Sequence, residues 1–189
     1  MTQISTFEPD GRAVPFADEG VGPVTLTLVT DRELGADGLN VIAHYLAEEA
    51  GFRVVRIGAR AAADAITDSD RAADADAVLE HLGIADTWIG GHGHGGSIAR
   101  VFAAEHHDRV GGLLLLGVEE DGAPLADGIP VLIIQASDDD ITPAVHAERL
   151  QATAPERASI TRIPGADHYF PATHPIETAV VIEEYLDWD

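Results

Sequence analysis

The 189-residue sequence contains no cysteine, no lysine and no long apolar run. Without cysteine there is no disulfide framework, no thiolate nucleophile and no cysteine-ligated metal. The longest apolar stretch, residues 111–118, is the size of a strand and falls well short of the ~18–20 residues of a membrane-spanning helix. The opening residues, MTQISTFEPDG, lack the basic and apolar regions of a secretory signal. These absences predict a cytoplasmic protein without a membrane anchor.

The charge of the chain is strongly one-sided. Acidic residues number 33 against 11 basic residues, all of them arginine, and the net charge is −22. Such a surface repels phosphate groups, so nucleic acids and anionic membranes are not expected as partners. Two interpretations of the acidity stay open: an ordinary solvated surface in which arginine replaces lysine, and an acidic shell adapted to high salt. Neither identifies a reaction.

Short β-branched runs alternate with amphipathic helical stretches along the chain. This alternation predicts an α/β fold, a mostly parallel sheet with helices on both faces. The length fits one domain spanning residues 1–189. Eight strands are expected, at residues 4–7, 13–17, 24–30, 52–57, 87–90, 112–117, 131–135 and 159–163, and five helices, at 36–50, 68–82, 97–107, 143–154 and 175–186.

Three polar segments follow predicted strands and carry the candidate chemistry. They are the glycine-rich turn Gly91–Gly96, with the sequence GHGHGG, then Asp138–Pro143, and then Pro164–His168. A sharp turn from strand to helix needs small residues, because its central residue is held in a strained conformation. Glycine-rich turns also cradle phosphates in dinucleotide-binding folds, but the acidic surface and the later aspartate and histidine oppose that interpretation.

The order of turn, acid and histidine resembles that of the α/β-hydrolase family, and the resemblance covers nearly the whole chain. The turn is similar to the family's G-H-S-x-G-G, with Gly93 where the nucleophilic serine stands. Asp139 matches the family's acid, with Asp138 and Asp140 one position away, and His168 matches the histidine of a PGxGH turn. The resemblance implies an α/β-hydrolase fold in which Asp139 orients His168, and His168 acts as a general base.

Glycine at position 93 has no oxygen with which to form an acyl-enzyme. The leading interpretation is that His168 and Asp139 activate a water, or catalyse a proton transfer, on a small ester- or carbonyl-type substrate. One alternative is an inactive relative that binds a ligand or another protein. Another is an engineered Ser→Gly substitution.

The surroundings of the predicted site also depart from the family. Only residues 118–130 lie between two strands where many relatives insert a helical lid. We therefore expect no cap domain and a site open to water, which weakens the electrostatic contacts of catalysis. A large substrate or the second subunit of a homodimer would cover such a site.

The oxyanion hole is predicted from backbone N–H groups. His94, at the start of a helix, supplies one donor. Relatives usually carry His-Gly after the third strand, whereas this chain reads TDRELG over residues 30–35. The N–H of Arg32 or Glu33 is the candidate second donor, and the Arg32 side chain is a candidate contact for an anionic substrate group. A surface Arg–Glu pair is an equally good interpretation of these two residues.

His92 and His94 flank Gly93 in an H-x-H spacing that suggests a metal site. Because His92 ends a strand and His94 opens a helix, their rings are expected to diverge. We therefore predict no metal and no cofactor, and we assign both histidines to packing or positioning beside the substrate. His94 replacing the serine as base or nucleophile is a further alternative.

Overall fold

The computed structural model of the protein describes residues 2–35, 37–61 and 65–187. The strands in this part of the chain are β1 (Ser5–Phe7), β2 (Val14–Glu19), β3 (Thr25–Val29), β4 (Arg53–Ile57), β5 (Thr87–His92), β6 (Val110–Leu116), β7 (Val131–Ala136) and β8 (Ala158–Ile163). The α-helices are α1 (Asn40–Glu48), α2 (Asp68–His81), α3 (His94–Glu105), α4 (Ala144–Thr153), α5 (Phe170–Thr173) and α6 (Pro175–Leu186). None of these helices has the length and apolar character needed to cross a membrane.

The strands form one eight-stranded sheet in the order β1-β2-β4-β3-β5-β6-β7-β8. β2 is antiparallel to both of its neighbours, and all the other pairings are parallel. Parallel strands are covered on both faces and therefore read as continuous apolar runs, as in β7, where every residue is buried. The mostly parallel sheet with helices that the sequence predicts is confirmed.

Alternate side chains of β6 pack into two different hydrophobic cores, because successive side chains of a strand point to opposite faces of the sheet. Leu113 and Leu115 join the core that includes Phe102 of α3. Leu114 and Leu116 join the core that includes residues of α1 and α6. The sheet is thereby held between helices on both sides, which gives the carboxyl ends of its strands a rigid position.

The element boundaries differ from the sequence prediction mainly around the glycine-rich turn. β5 runs to His92 instead of ending at Gly90, because Gly91 and His92 pair in parallel register with β6. α3 then begins at His94, three residues earlier than predicted. α1 begins only at Asn40, and the predicted start of that helix falls on a residue outside the described ranges. The short helix α5 was not predicted.

No cap domain is present between β6 and β7, where residues 117–130 form a loop without helix or strand. Arg100 of α3 anchors this loop. Its guanidinium donates hydrogen bonds of 2.9–3.0 Å to the backbone carbonyls of Glu119, Glu120 and Asp121. Arg100 is only 1% exposed, and these carbonyls are the acceptors for its two terminal nitrogens, which lowers the cost of burying the charge.

Replacing Arg100 by methionine is expected to lower the free energy of unfolding by about 3 kcal/mol, since the loop loses three hydrogen bonds from a charged, buried donor. Urea denaturation measures the change. The matched control is Arg149→Met, whose side chain is 62% exposed and pairs with the Glu120 carboxylate, and which is expected to cost less than about 1 kcal/mol. Equal losses in the two variants would contradict this role of Arg100.

Candidate active site

The turn between β5 and α3 is a single residue long. Gly93 lies there with φ 54° and ψ −124°, a backbone region that residues with a side chain rarely adopt. The Gly93 carbonyl accepts hydrogen bonds from the N–H groups of Gly96 and Ser97, at 3.1 and 3.2 Å, which starts the helix at once. A small cavity of about 150 Å³ lies over this turn, and His94 and His168 are among its lining residues.

Asp139 and His168 come together beside this turn. The Nδ1 atom of His168 lies 2.8 Å from Asp139 Oδ2, and both side chains are almost fully buried. The other oxygen of Asp139 accepts the backbone N–H groups of Ile141 and Thr142, at 3.0 and 2.7 Å. These two bonds fix the carboxylate, which in turn orients the imidazole. Of the aspartates at 138–140, Asp139 is the one that contacts His168.

The other ring nitrogen of His168 contacts a carboxylate from a third segment. Glu33 Oε2 lies 3.0 Å from His168 Nε2, so the imidazole stands between two acids. A Cβ atom added to Gly93 would lie 3.0 Å from Glu33 Oε2 and 3.0 Å from Asp31 Oδ2. These two carboxylates therefore lie tightly against the position of a side chain at residue 93, and both would have to shift to admit one.

Asp31 also shapes the loop after β3. Its Oδ1 atom accepts the backbone N–H groups of Glu33 and Leu34, at 3.0 and 3.2 Å, as in an Asx turn. The expected use of the Glu33 N–H as an oxyanion donor does not fit this geometry, because that N–H already donates inside the loop. The N–H of His94 has no intrahelical acceptor, since His94 is the first residue of α3, and it lies next to Gly93.

A larger cavity of about 710 Å³ opens on the other side of Glu33, and three arginines are among its lining residues: Arg32, Arg60 and Arg71. Glu33 lines both this cavity and the small one over Gly93. Its carboxylate pairs with His168, and among the described residues no ion pair joins it to Arg32, so the alternative interpretation of a surface Arg–Glu pair does not fit the structure. Arg32 lines the larger cavity.

The rings of His92 and His94 diverge and contact different partners. His92 Nε2 lies 2.8 Å from the backbone carbonyl oxygen of His168, whereas His94 Nε2 lies 2.7 Å from Asp68 Oδ1 at the surface. The H-x-H pair is thus not a joint site. His92 instead joins two other residues: one ligand atom each of Glu33, His92 and His168 lies within 4.8 Å of the others, a spacing that suits a metal ion.

The two buried histidines have pKa values that move in opposite directions. Burial lowers the pKa of His168, but the hydrogen bonds and charges of Asp139 and Glu33 outweigh it and raise that pKa above its ordinary value. Burial, followed by the nearby positive charge of His168, lowers the pKa of His92. A proton entering the site therefore resides on His168 and not on His92.

The contributions of the Asp31 and Glu33 side chains were not apparent from the sequence, which suggested only a backbone donor and a surface pair in this loop. Glu33 and His168 are separated by 135 positions, and no local pattern links them. The one available signal is that both acids follow β3. Because β3 pairs in parallel with β5, the segments after these strands meet at the same edge of the sheet.

A sequence model described as the alpha/beta hydrolase family matches residues 34–171 of the chain. The chain belongs to the α/β-hydrolase family. The matched region of this α/β-hydrolase includes Gly93, Asp139 and His168, and it begins directly after Glu33. A comparison with curated protein sequences finds no match.

Solved structures of other proteins superimpose on nearly the whole α/β-hydrolase chain. A thermophilic esterase from Thermogutta terrifontis has a TM-score of 0.84 at 19% identity, over 98% of each chain. A bromoperoxidase from Bacillus anthracis has a TM-score of 0.82 at 15% identity, over 99% of this chain and 100% of the other. A serine hydrolase involved in carbazole degradation has a TM-score of 0.85 at 14% identity, over all of both chains. At these identities the likeness shows the fold, and it confirms the predicted α/β-hydrolase architecture.

Proposed function

We propose that the protein is an esterase-like hydrolase that cleaves a small ester- or carbonyl-type substrate by direct attack of water. The observation that carries the proposal is a row of three side chains in contact, Asp139, His168 and Glu33, whose last member lies beside Gly93. In the family pattern the serine nucleophile stands at this turn, so glycine removes the acyl-enzyme step. The row keeps what water attack requires, a proton acceptor and a proton donor beside the carbonyl carbon.

Glu33 is the general base in this reaction, whereas the sequence resemblance predicted His168 in that role. Its side chain is 48% exposed, which makes it the member of the row that solvent reaches. A water gives one proton to the Glu33 carboxylate and attacks the carbonyl carbon, and the bond to the leaving oxygen then breaks. His168 protonates that oxygen and recovers the proton from Glu33, so ester and water become acid and alcohol. Asp139 keeps the imidazole oriented throughout.

Two further groups complete the proposed site. The His94 N–H, at the positive end of the α3 dipole, faces the oxyanion that forms during water attack. Arg32, in the larger cavity, binds an anionic group of the substrate, since a guanidinium matches a carboxylate or phosphate in shape and charge.

Replacing Glu33 by glutamine is expected to lower kcat by about 100-fold or more, because an amide cannot take a proton from water. KM is expected to change little. Steady-state hydrolysis of a panel of p-nitrophenyl esters measures both constants. The matched control is Glu148→Gln, a 56% exposed glutamate that pairs with Arg162, which should leave both constants unchanged. Equal rates for the wild type and Glu33→Gln would remove Glu33 from the mechanism.

The alternative function, an inactive protein that binds a ligand, is favoured by one observation: the Glu33 carboxylate occupies the space beside Gly93. The same ester panel separates the two functions. Turnover without an initial burst of p-nitrophenol supports water attack. A burst of one equivalent indicates a covalent intermediate and contradicts it, and a complete lack of turnover in the wild type selects the ligand-binding protein.

A further inference from the structure

We infer that the turn at Gly93 is a binding site for a divalent transition-metal ion, best suited to Zn²⁺, with His92, His168 and Glu33 as its ligands and Asp31 beside it. One ligand atom each of Glu33, His92 and His168 already lies within 4.8 Å of the others. The inference goes beyond the proposed hydrolysis: because the ion takes Glu33 and His168 as ligands, the metal-bound protein should not hydrolyse an ester by that route.

Each imidazole, when neutral, presents the lone pair of one nitrogen toward the proposed ion. The Nδ1 atom of neutral His168 donates its hydrogen to Asp139, at 2.8 Å, which leaves a lone pair on Nε2. The Nε2 atom of His92 lies 2.8 Å from the His168 carbonyl oxygen. A carbonyl only accepts hydrogen bonds, so Nε2 carries the hydrogen and Nδ1 keeps the lone pair. A carboxylate or carbonyl acceptor on the far nitrogen is the usual support of a metal-binding histidine.

Two polar atoms at the proposed site are buried and lack a partner. Neither His92 Nδ1 nor Asp31 Oδ2 has a hydrogen bond within the part of the chain that the structure describes. Their side chains are 1% and 3% exposed, and the two atoms lie 3.9 Å apart. That separation is too long for a hydrogen bond, and it places the negative charge of Asp31 next to an ion bound by His92 Nδ1. Since burying unpaired polar atoms costs free energy, a shared cation would stabilise both.

Glycine at position 93 keeps the space between the ligands open. The point where a Cβ would stand lies 3.0 Å from both Asp31 Oδ2 and Glu33 Oε2, and Glu33 Oε2 lies 3.0 Å from His168 Nε2. A side chain there would occupy the place of the ion. Two imidazole nitrogens and one carboxylate oxygen form a donor set that suits Zn²⁺ and related ions, as in the His₂Glu sites of zinc enzymes. The net charge of −22 also attracts cations over a distance.

The test is Zn²⁺ binding by the full-length protein after dialysis against a chelator, followed by isothermal titration calorimetry and by the visible absorption of a Co²⁺ complex. One ion per chain is expected. Glu33→Gln and His92→Gln each alter a ligand and should weaken binding by roughly 100-fold or more. Asp31→Asn removes a neighbouring charge and should weaken binding by roughly 10–100-fold. Asparagine at position 31 retains the oxygen that accepts the loop N–H groups, and glutamine at position 92 retains a donor for the carbonyl, so circular dichroism should show folded variants.

The matched control is His106→Gln at the other end of α3, where His106 Nδ1 lies 3.5 Å from Asp76 Oδ1. This variant should bind Zn²⁺ as the wild type does. Non-saturable binding, or equal affinity in all variants, would overturn the inference. The measurement needs no substrate, so the two proposals can fail separately. If the protein binds one Zn²⁺ but, free of metal, hydrolyses no ester, this inference stands and the proposed function is wrong. If the protein hydrolyses esters but binds no ion, the proposed function stands and this inference is wrong.

Discussion

Replacing His168 by asparagine is expected to lower kcat for ester hydrolysis about 1,000-fold, with little change in KM. The asparagine amide can still donate to Asp139, whose Oδ2 now lies 2.8 Å from the imidazole. Asparagine has no atom in the place of His168 Nε2, which lies 3.0 Å from Glu33 Oε2. The substitution breaks the row in its middle with little loss of buried volume, and steady-state kinetics on a folded variant measures the effect.

Asp139→Asn tests the same row from its far end. Asparagine can still accept the N–H groups that Asp139 Oδ1 binds, but the negative charge that supports the imidazole is lost. Residues that act as one unit give non-additive losses, so the double variant with His168→Asn should be no slower than His168→Asn alone. The matched control is His107→Asn, an exposed histidine that contacts the Asp127 carbonyl. Wild-type kcat in His168→Asn would exclude the row from catalysis.

Gly93→Ser is expected to create a reactive nucleophile only when Glu33 is shortened in the same protein. A Cβ at position 93 would lie 3.0 Å from Glu33 Oε2 and Asp31 Oδ2. Because Glu33 Oε2 also lies 3.0 Å from His168 Nε2, the serine hydroxyl would compete with Glu33 for the imidazole. A fluorophosphonate probe should leave the wild type unlabelled and label Gly93→Ser weakly. It should label Gly93→Ser/Glu33→Ala to near one equivalent per chain.

The control for this series is Gly93→Ala/Glu33→Ala, which adds the Cβ without a hydroxyl and should not be labelled. All variants with a side chain at position 93 carry a backbone strain of about 1–3 kcal/mol, because φ there is 54°. Thermal melting of the alanine variant measures that strain separately from the chemistry. Labelling of Gly93→Ser as fast as that of the double variant would show that Glu33 does not occupy the position of the serine.

Asp139 and His168 could be recognised from the sequence because each follows a strand in a short segment with characteristic neighbours. The same holds for Gly93, since glycines on both sides of it predict a sharp turn. The exact ends of β5 and α3 could not be recognised. Glycine and histidine have little preference for strands, and the pairing of Gly91 and His92 with β6 is what extends the strand to the turn.

The sequence by itself determined the class of the fold, the lack of a nucleophilic oxygen at position 93 and the acidic surface, because these depend on the periodicity and identity of neighbouring residues. Only the tertiary structure decided that Asp31 and Glu33 lie against Gly93, and that His92 contacts His168. Those contacts join segments that are far apart in the chain. They depend on β3 lying next to β5 in the sheet, and strand order results from the packing of the whole molecule and not from any local pattern.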